Sequence, residues 1–107
     1  EVVDERPYEL RCADATTAWI YDFGLRMPEG SSEPLGEDAR ERFQEAFGAV
    51  WSGRAENDGF NALVLGAGLT WRQAMVLRAY AKYLRQAGAT FSQDYMEDTL
   101  RTNIHTT

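Results

Sequence analysis

The stretch Thr70-Trp71-Arg72-Gln73-Ala74-Met75-Val76-Leu77-Arg78-Ala79-Tyr80-Ala81-Lys82-Tyr83-Leu84-Arg85-Gln86-Ala87 decides how this chain reads. Thr70 with Gln73 three residues later is a capping box, and Gly88 stands where a helix end favours glycine. Between those signals Trp71, Ala74, Met75, Val76, Leu77, Ala79, Tyr80, Ala81, Tyr83 and Leu84 cover more than half of a helix circumference. Arg72, Arg78, Lys82 and Arg85 gather on the remainder. A helix apolar over so much of its surface is expected to lie centrally, with neighbours on several faces. The pattern predicts the organising helix of a small helical bundle, its aromatic rings held in the core.

Outward from that helix, Asn57 or Asp58 can cap a short helix carrying Phe60, Leu63 and Val64, ended by Gly66 and Gly68. Ser92 opens a last helix, with Phe91 and Met96 at the two staple positions around that cap. Earlier, Phe43, Phe47, Val50 and Trp51 fall at i, i+4, i+7 and i+8, one apolar stripe of a helix whose other faces carry Glu37, Arg40, Glu41 and Glu45. Gly53 can close it. Pro28 to Gly36 reads as a linker rich in turn formers. Before the linker the period changes to two. Tyr8, Leu10 and Cys12 alternate with Glu9 and Arg11, and Trp19, Tyr21, Phe23, Leu25 and Met27 alternate with Asp22 and Arg26, so two strands are expected, joined through Ala13 to Thr17. The fold class is α+β and mostly helical: an N-terminal antiparallel β-hairpin followed by about four helices in a small bundle. The expected division places the hairpin and first helix in residues 1–53 and the remaining helices in 54–107.

Composition narrows the function classes. The 107 residues carry 17 acids and 11 bases, a net charge of −6, with 44% hydrophobic side chains, which is a globular balance and not a disordered one. Residues 1–70 hold fourteen acids against six bases, whereas residues 71–91 hold four bases and no acid. An acidic total argues against a general nucleic-acid binder. No apolar stretch approaches the roughly 20 residues of a membrane span. A single cysteine, Cys12, permits no internal disulfide, so a cytoplasmic location is the expectation. The opening Glu-Val-Val-Asp-Glu-Arg is unlike a signal peptide, and both ends read as cuts through a longer polypeptide.

Chemistry-bearing motifs are sparse. Gly66-Ala67-Gly68 lacks the third glycine and the preceding strand of a dinucleotide fingerprint, so it reads as a tight helix-to-helix turn. His105 has no local partner for metal binding or catalysis, and Cys12 reads as a small core residue. Glu37, Asp38, Glu41 and Glu45 form a solvated helix face. The order short helix, glycine turn, basic helix has the outline of a helix-turn-helix DNA reader, although the helix is too apolar to present one. No catalytic, cofactor-binding or metal residue is expected. Arg72, Arg78, Lys82 and Arg85 are the candidate interface residues, set to meet acidic surface on a neighbouring domain or subunit.

Three segments taken together resemble the large bacterial NAD-specific glutamate dehydrogenases. They are Asp4-Glu5-Arg6-Pro7-Tyr8-Glu9-Leu10, then Ile20-Tyr21-Asp22-Phe23-Gly24-Leu25, then a run comprising Ala55-Glu56-Asn57-Asp58-Gly59-Phe60-Asn61, Leu69-Thr70-Trp71-Arg72-Gln73 and Leu77 through Gln86. Ala62 departs from the family, where a basic residue is expected. The resemblance implies that the hairpin and first helix end an ACT-like, ferredoxin-like regulatory module. The later helices would then be a connecting region ahead of a catalytic domain. It further implies a parent that oxidises glutamate to 2-oxoglutarate with NAD, with no cofactor held in this stretch. The implied partners are other domains and subunits of the same homo-oligomeric enzyme and, as an alternative role, an amino-acid effector; neither nucleic acid nor membrane is among them.

Overall fold

The computed structural model describes residues 1–27 and 35–107. Along the chain lie β1 (Val2–Arg11), β2 (Thr17–Leu25), α1 (Glu37–Trp51), one 3-10 turn (Gly59–Asn61), α2 (Ala62–Gly66), α3 (Trp71–Gln86) and α4 (Gln93–Thr102). This is the expected hairpin followed by four helices. The chain divides into two compact units, Glu1–Pro34 and Leu35–Thr107. Residues 28–34 of the expected Pro28–Gly36 linker lie outside the described residues.

In the first unit β1 and β2 pair antiparallel, with Glu5 opposite Phe23, Pro7 opposite Tyr21, Tyr8 opposite Ile20 and Leu10 opposite Ala18. The register shifts between Val2 and Asp4. Because paired residues share a face, Tyr8 and Leu10 lie with Ile20 and Ala18 on one side. Trp19, Tyr21 and Phe23 lie with Glu9, Pro7 and Glu5 on the other. The two alternating apolar sets therefore occupy opposite faces of the ribbon. Cys12 is exposed at the turn and not a core residue, because a two-stranded ribbon has no interior of its own to hold it. The turn is built by Cys12 donating its N–H to the Thr16 carbonyl at 2.9 Å, with Ala15 at φ 66. Asp14 accepts from the Thr16 hydroxyl at 2.6 Å and from its N–H at 3.1 Å.

The second unit has a core. Phe60, Leu63 and Val64 are fully buried. One cluster joins Ala46 of α1, Val64 of α2 and Ala74 of α3, with Trp71 packed against it. The other joins Phe60, Leu63 and Ala81 with Leu69, Leu77, Met96 and Leu100 beside them. The helix signals hold in detail. Thr70 and Gln73 make both halves of the capping box, Ser92 caps α4 by accepting from the Tyr95 N–H, and Gly53, Gly68 and Gly88 take positive φ where α1, α2 and α3 end. Phe91 stacks on Tyr95 at 5.1 Å, while Met96 turns into the core.

Two expectations about helix faces are corrected. α3 does touch α1, the 3-10 turn, α2 and α4, but through one narrow face of Ala74, Arg78 and Ala81 with Leu77 beside it. Val76, Tyr80, Tyr83 and Leu84 are exposed. Small alanines let neighbouring backbones approach closely, so the inward face needs little width and the large residues remain outside. In α1 the buried residues are Ala46 and Ala49. The aromatic stripe runs along the surface, with Phe47 stacked on Trp51 at 6.0 Å and Trp51 83% exposed.

Candidate functional site: a buried arginine and the surfaces around it

The most organised group of polar side chains centres on Arg78, which is 3% exposed. α3 carries it inward on the same face as Ala74 and Ala81, at the i, i+4, i+7 spacing of one helix side. The Asn57-Asp58-Gly59-Phe60-Asn61 segment meets it. Arg78 Nε donates to Asp58 Oδ2 at 2.5 Å and Nη2 donates to Asp58 Oδ1 at 2.7 Å, a bidentate pair. Nη2 also donates to Asn61 Oδ1 at 2.9 Å and reaches the Glu56 carbonyl at 3.4 Å. The guanidinium lies 5.7 Å from the Phe60 ring centroid. Nη1 is buried and finds no acceptor among the described residues.

Asp58 has a second task. Its Oδ1 accepts from the Phe60 N–H at 3.1 Å, capping the 3-10 turn. One carboxylate thus holds a helix start and an arginine twenty residues away. Lys82, one turn beyond Arg78, pairs with the Glu56 carboxylate at the surface. Asn61 donates its side-chain N–H to the Glu56 carbonyl at 2.7 Å. On the far side Glu97 of α4 is buried against Gly59, where a Cβ would run into its carboxylate. Gln93 donates to Glu97 Oε1 at 2.8 Å. The arrangement locks the start of α2 to the middle of α3. It offers no nucleophile and no open acid-base pair, so its chemistry is structural.

The four candidate interface residues part company. Arg78 is committed to the interior, so it leaves the expected docking stripe: a guanidinium on the Ala74/Ala81 face has to be buried with its partner. Arg72 lies over the Trp71 ring at 4.7 Å, with Arg54 at 5.5 Å from the same centroid. Lys82 and Arg85 are exposed and line a shallow hollow with Gln86. Of the Arg78 partners, Asp58 was legible only as a helix cap. Its pairing with Arg78 had no signal in local spacing, because the two stand far apart in sequence.

Around this lock the surfaces are apolar. A groove of about 470 Å³ is lined by Phe43, Phe47, Val50, Trp51, Ala62 and Leu65, among others. Ala62, where the family resemblance expects a basic residue, forms part of its wall. A second hollow of about 340 Å³ lies on the outer side of α3 over Val76, Ala79, Tyr80 and Tyr83. Among the described residues no group of three or more His, Cys, Asp and Glu is placed to hold a metal. His105 is exposed. Gly66-Ala67-Gly68 joins α2 to α3 with Gly68 at φ 68, a helix-to-helix turn as expected. A dinucleotide cradle needs a strand entering that turn, so these glycines do not fit one. No described helix is long and apolar enough to cross a membrane.

Comparison with known proteins matches both units. A family model described as "Glutamate dehydrogenase, ACT3 domain" matches residues 1–39, and one described as "Glutamate dehydrogenase, helical motif 3" matches residues 55–107. The NAD-specific glutamate dehydrogenase of Halomonas elongata is 48% identical over 99 residues, 92% of this chain. The chain belongs to the NAD-specific glutamate dehydrogenase family. The Mycobacterium tuberculosis member is 47% identical over 92% of the chain, and that of Pseudomonas aeruginosa 43% over 98%. The chain spans 6% of the length of each of these glutamate dehydrogenases. Its hairpin is ACT3 sequence and its last three helices are helical motif 3, with most of α1 between the two matches.

Proposed function

We propose that this segment is a non-catalytic regulatory and scaffolding part of an NAD-dependent glutamate dehydrogenase. The parent would carry out oxidative deamination of L-glutamate to 2-oxoglutarate and ammonium with NAD in the cytoplasm, as a homo-oligomer. The observation that carries the reading is the distribution of large apolar side chains. Trp19, Tyr21, Phe23, Phe47, Trp51, Tyr80 and Tyr83 are all exposed on their own units, whereas the best-buried polar group ties helices together. Extended apolar surface of this kind belongs to faces that other protein surface covers. Scaffolding then means covering: neighbouring domains and subunits close over these faces, and the Arg78–Asp58 lock keeps the helices in register while they do.

The test is made on the full-length enzyme carrying Phe47→Ser with Trp51→Ser, two exposed positions whose change leaves the helical core intact. Scaffolding predicts that the enzyme loses native mass or turnover while the 107-residue chain with the same changes keeps its melting temperature. Unchanged mass and turnover would contradict it.

The ACT3 match favours a second reading, an amino-acid-sensing module. Its candidate surface is the aromatic side of the hairpin beside the Ala13–Thr17 turn. Calorimetry of the chain against glutamate, aspartate, leucine and 2-oxoglutarate separates the two. Heat from any of them at millimolar concentration supports sensing, and silence from all four dismisses it for this segment.

A further inference from the structure

We infer that the outer edge of β2 is a strand-docking site: a β-strand of the same parent polypeptide, from outside these 107 residues, pairs along it, while β1 ends the completed sheet. The inference rests on the scaffolding reading above and deepens it by naming what meets the hairpin at one edge. Which backbone groups the hairpin itself uses follows from its turn. Cys12 donates its N–H to the Thr16 carbonyl, and hydrogen-bonded pairs alternate with non-hydrogen-bonded ones in an antiparallel ribbon. Leu10–Ala18, Tyr8–Ile20 and Arg6–Asp22 are therefore the bonded pairs. Arg11–Thr17, Glu9–Trp19, Pro7–Tyr21 and Glu5–Phe23 turn their backbone groups outward. Pro7, which has no N–H, falls at an outward position and so costs the hairpin no bond.

The two outer edges are unequal. Along β1 the outward donor row breaks at Pro7, and the strand carries Asp4, Glu5, Arg6, Glu9 and Arg11. Arg6 pairs with Asp4 at 3.1 Å and Arg11 with Glu9 at 3.3 Å, so these charges are met within the strand. Proline and charge on an outer strand are how proteins keep further strands from adding. Along β2 the outward N–H groups of Thr17, Trp19, Tyr21 and Phe23 form an unbroken row, and Asp22 is the strand's one charged residue. Trp19, Ile20, Tyr21 and Phe23 are apolar toward both sides of the ribbon, the composition of a strand interior to a sheet, yet each is about half exposed. What matches such a row is the backbone of another strand about 4.8 Å away, since a helix has already bonded its own groups internally. The relatives hold the polypeptide to supply it, because this chain spans only 6% of their length. A strand from the remainder reaches β2 at high effective concentration, an advantage that a foreign peptide lacks.

The experiment is amide hydrogen exchange at single-residue resolution, on the purified full-length enzyme and on the 107-residue chain at low and high concentration. In the full-length enzyme the Trp19, Tyr21 and Phe23 amides are expected to exchange at least about a hundredfold more slowly than in the chain, while the outward Glu5 and Glu9 amides of β1 stay fast. Tyr21→Pro removes one outward donor and no hairpin bond, and it is expected to abolish most of that slowing at Trp19 and Phe23. Tyr21→Ala removes the same ring, keeps the N–H and is expected to retain the slowing. Fast exchange at Trp19, Tyr21 and Phe23 in the full-length enzyme, equal slowing along β1, or a loss in Tyr21→Ala as complete as in Tyr21→Pro overturns the inference. Slowing in the chain at high concentration, or a full-length Ile20→Cys enzyme that oxidises to a disulfide-linked dimer, overturns it too, since β2 then pairs with its own copy. Scaffolding itself stands or falls separately, on the mass and turnover of the Phe47→Ser/Trp51→Ser enzyme.

Discussion

In the helical unit Phe60, Leu63 and Val64 are sealed from solvent, and Arg78 is sealed with its carboxylate. In the hairpin every strand residue but Gly24 is exposed, Trp19, Tyr21 and Phe23 included. The two units are comparably rich in aromatic and aliphatic side chains, yet only one of them covers any. The reason is geometric. Helices bring four faces around a shared interior, so even a narrow strip of alanines closes a core. A lone ribbon has two faces and nothing to lay over either, and two strands by themselves are marginal in water. The helical unit has a core of its own, whereas the described hairpin residues bury none.

Breaking the Arg78–Asp58 pair is the largest perturbation of that contrast. Arg78→Ala or Asp58→Ala leaves one buried charge alone and is expected to destabilise the helical unit by about 3–5 kcal/mol. Urea denaturation followed at the helix signal checks it. Replacing both partners, Arg78→Met with Asp58→Leu, is expected to recover the part of the loss due to the unpaired charge, but not the part due to the cap that Asp58 gives the Phe60 N–H. The hairpin's backbone signals should not move in either variant.

A smaller and opposite-signed pair of changes sharpens the contrast at two left-handed residues. Gly68→Ala places a Cβ at φ 68 and is expected to cost the helical unit about 1–2 kcal/mol. Ala15→Gly relieves the same conformation at φ 66 in the hairpin turn and is expected to add up to about 1 kcal/mol to strand pairing. Thermal melts report the first, and cross-strand proton contacts report the second.

The smallest effect is one of pH. Asp14 is held below its ordinary carboxylate value by the Thr16 hydroxyl first and the Thr16 N–H second. Its folded value is thus lower than its unfolded one. Its contribution to the turn is complete above the unfolded value and fades as the pH falls through the folded one. An NMR titration of the Asp14 side chain is expected to show the lowered midpoint, and Thr16→Val to raise it toward the ordinary value.

Element positions were legible from sequence because caps and periodicity are local. Thr70 with Gln73, Ser92, Gly53 and Gly88 end or begin helices where expected, and the period-two runs became strands that stop at Arg11 and Leu25, short of Cys12 and Met27. Burial was less legible. The stripe Phe43, Phe47 and Trp51 announced an apolar face truthfully but could not say whether this segment covers it. In α3 the widest apolar arc faces outward, because Ala74 and Ala81 set the close approach and Arg78 enters between them. Arg78 read as part of a surface stripe since its partner, Asp58, lies twenty residues away and local spacing carries no trace of that pairing.

Amide hydrogen exchange on the 107-residue chain tests the central claim most directly. The amides of α2 and the middle of α3, Leu63 to Leu65 and Leu77 to Ala81, are expected to exchange only through global unfolding of their unit. The amides of β1 and β2, from Glu5 to Leu10 apart from Pro7 and from Ala18 to Phe23, are expected to exchange with little protection. Hairpin amides protected as strongly as those of α3 would contradict it.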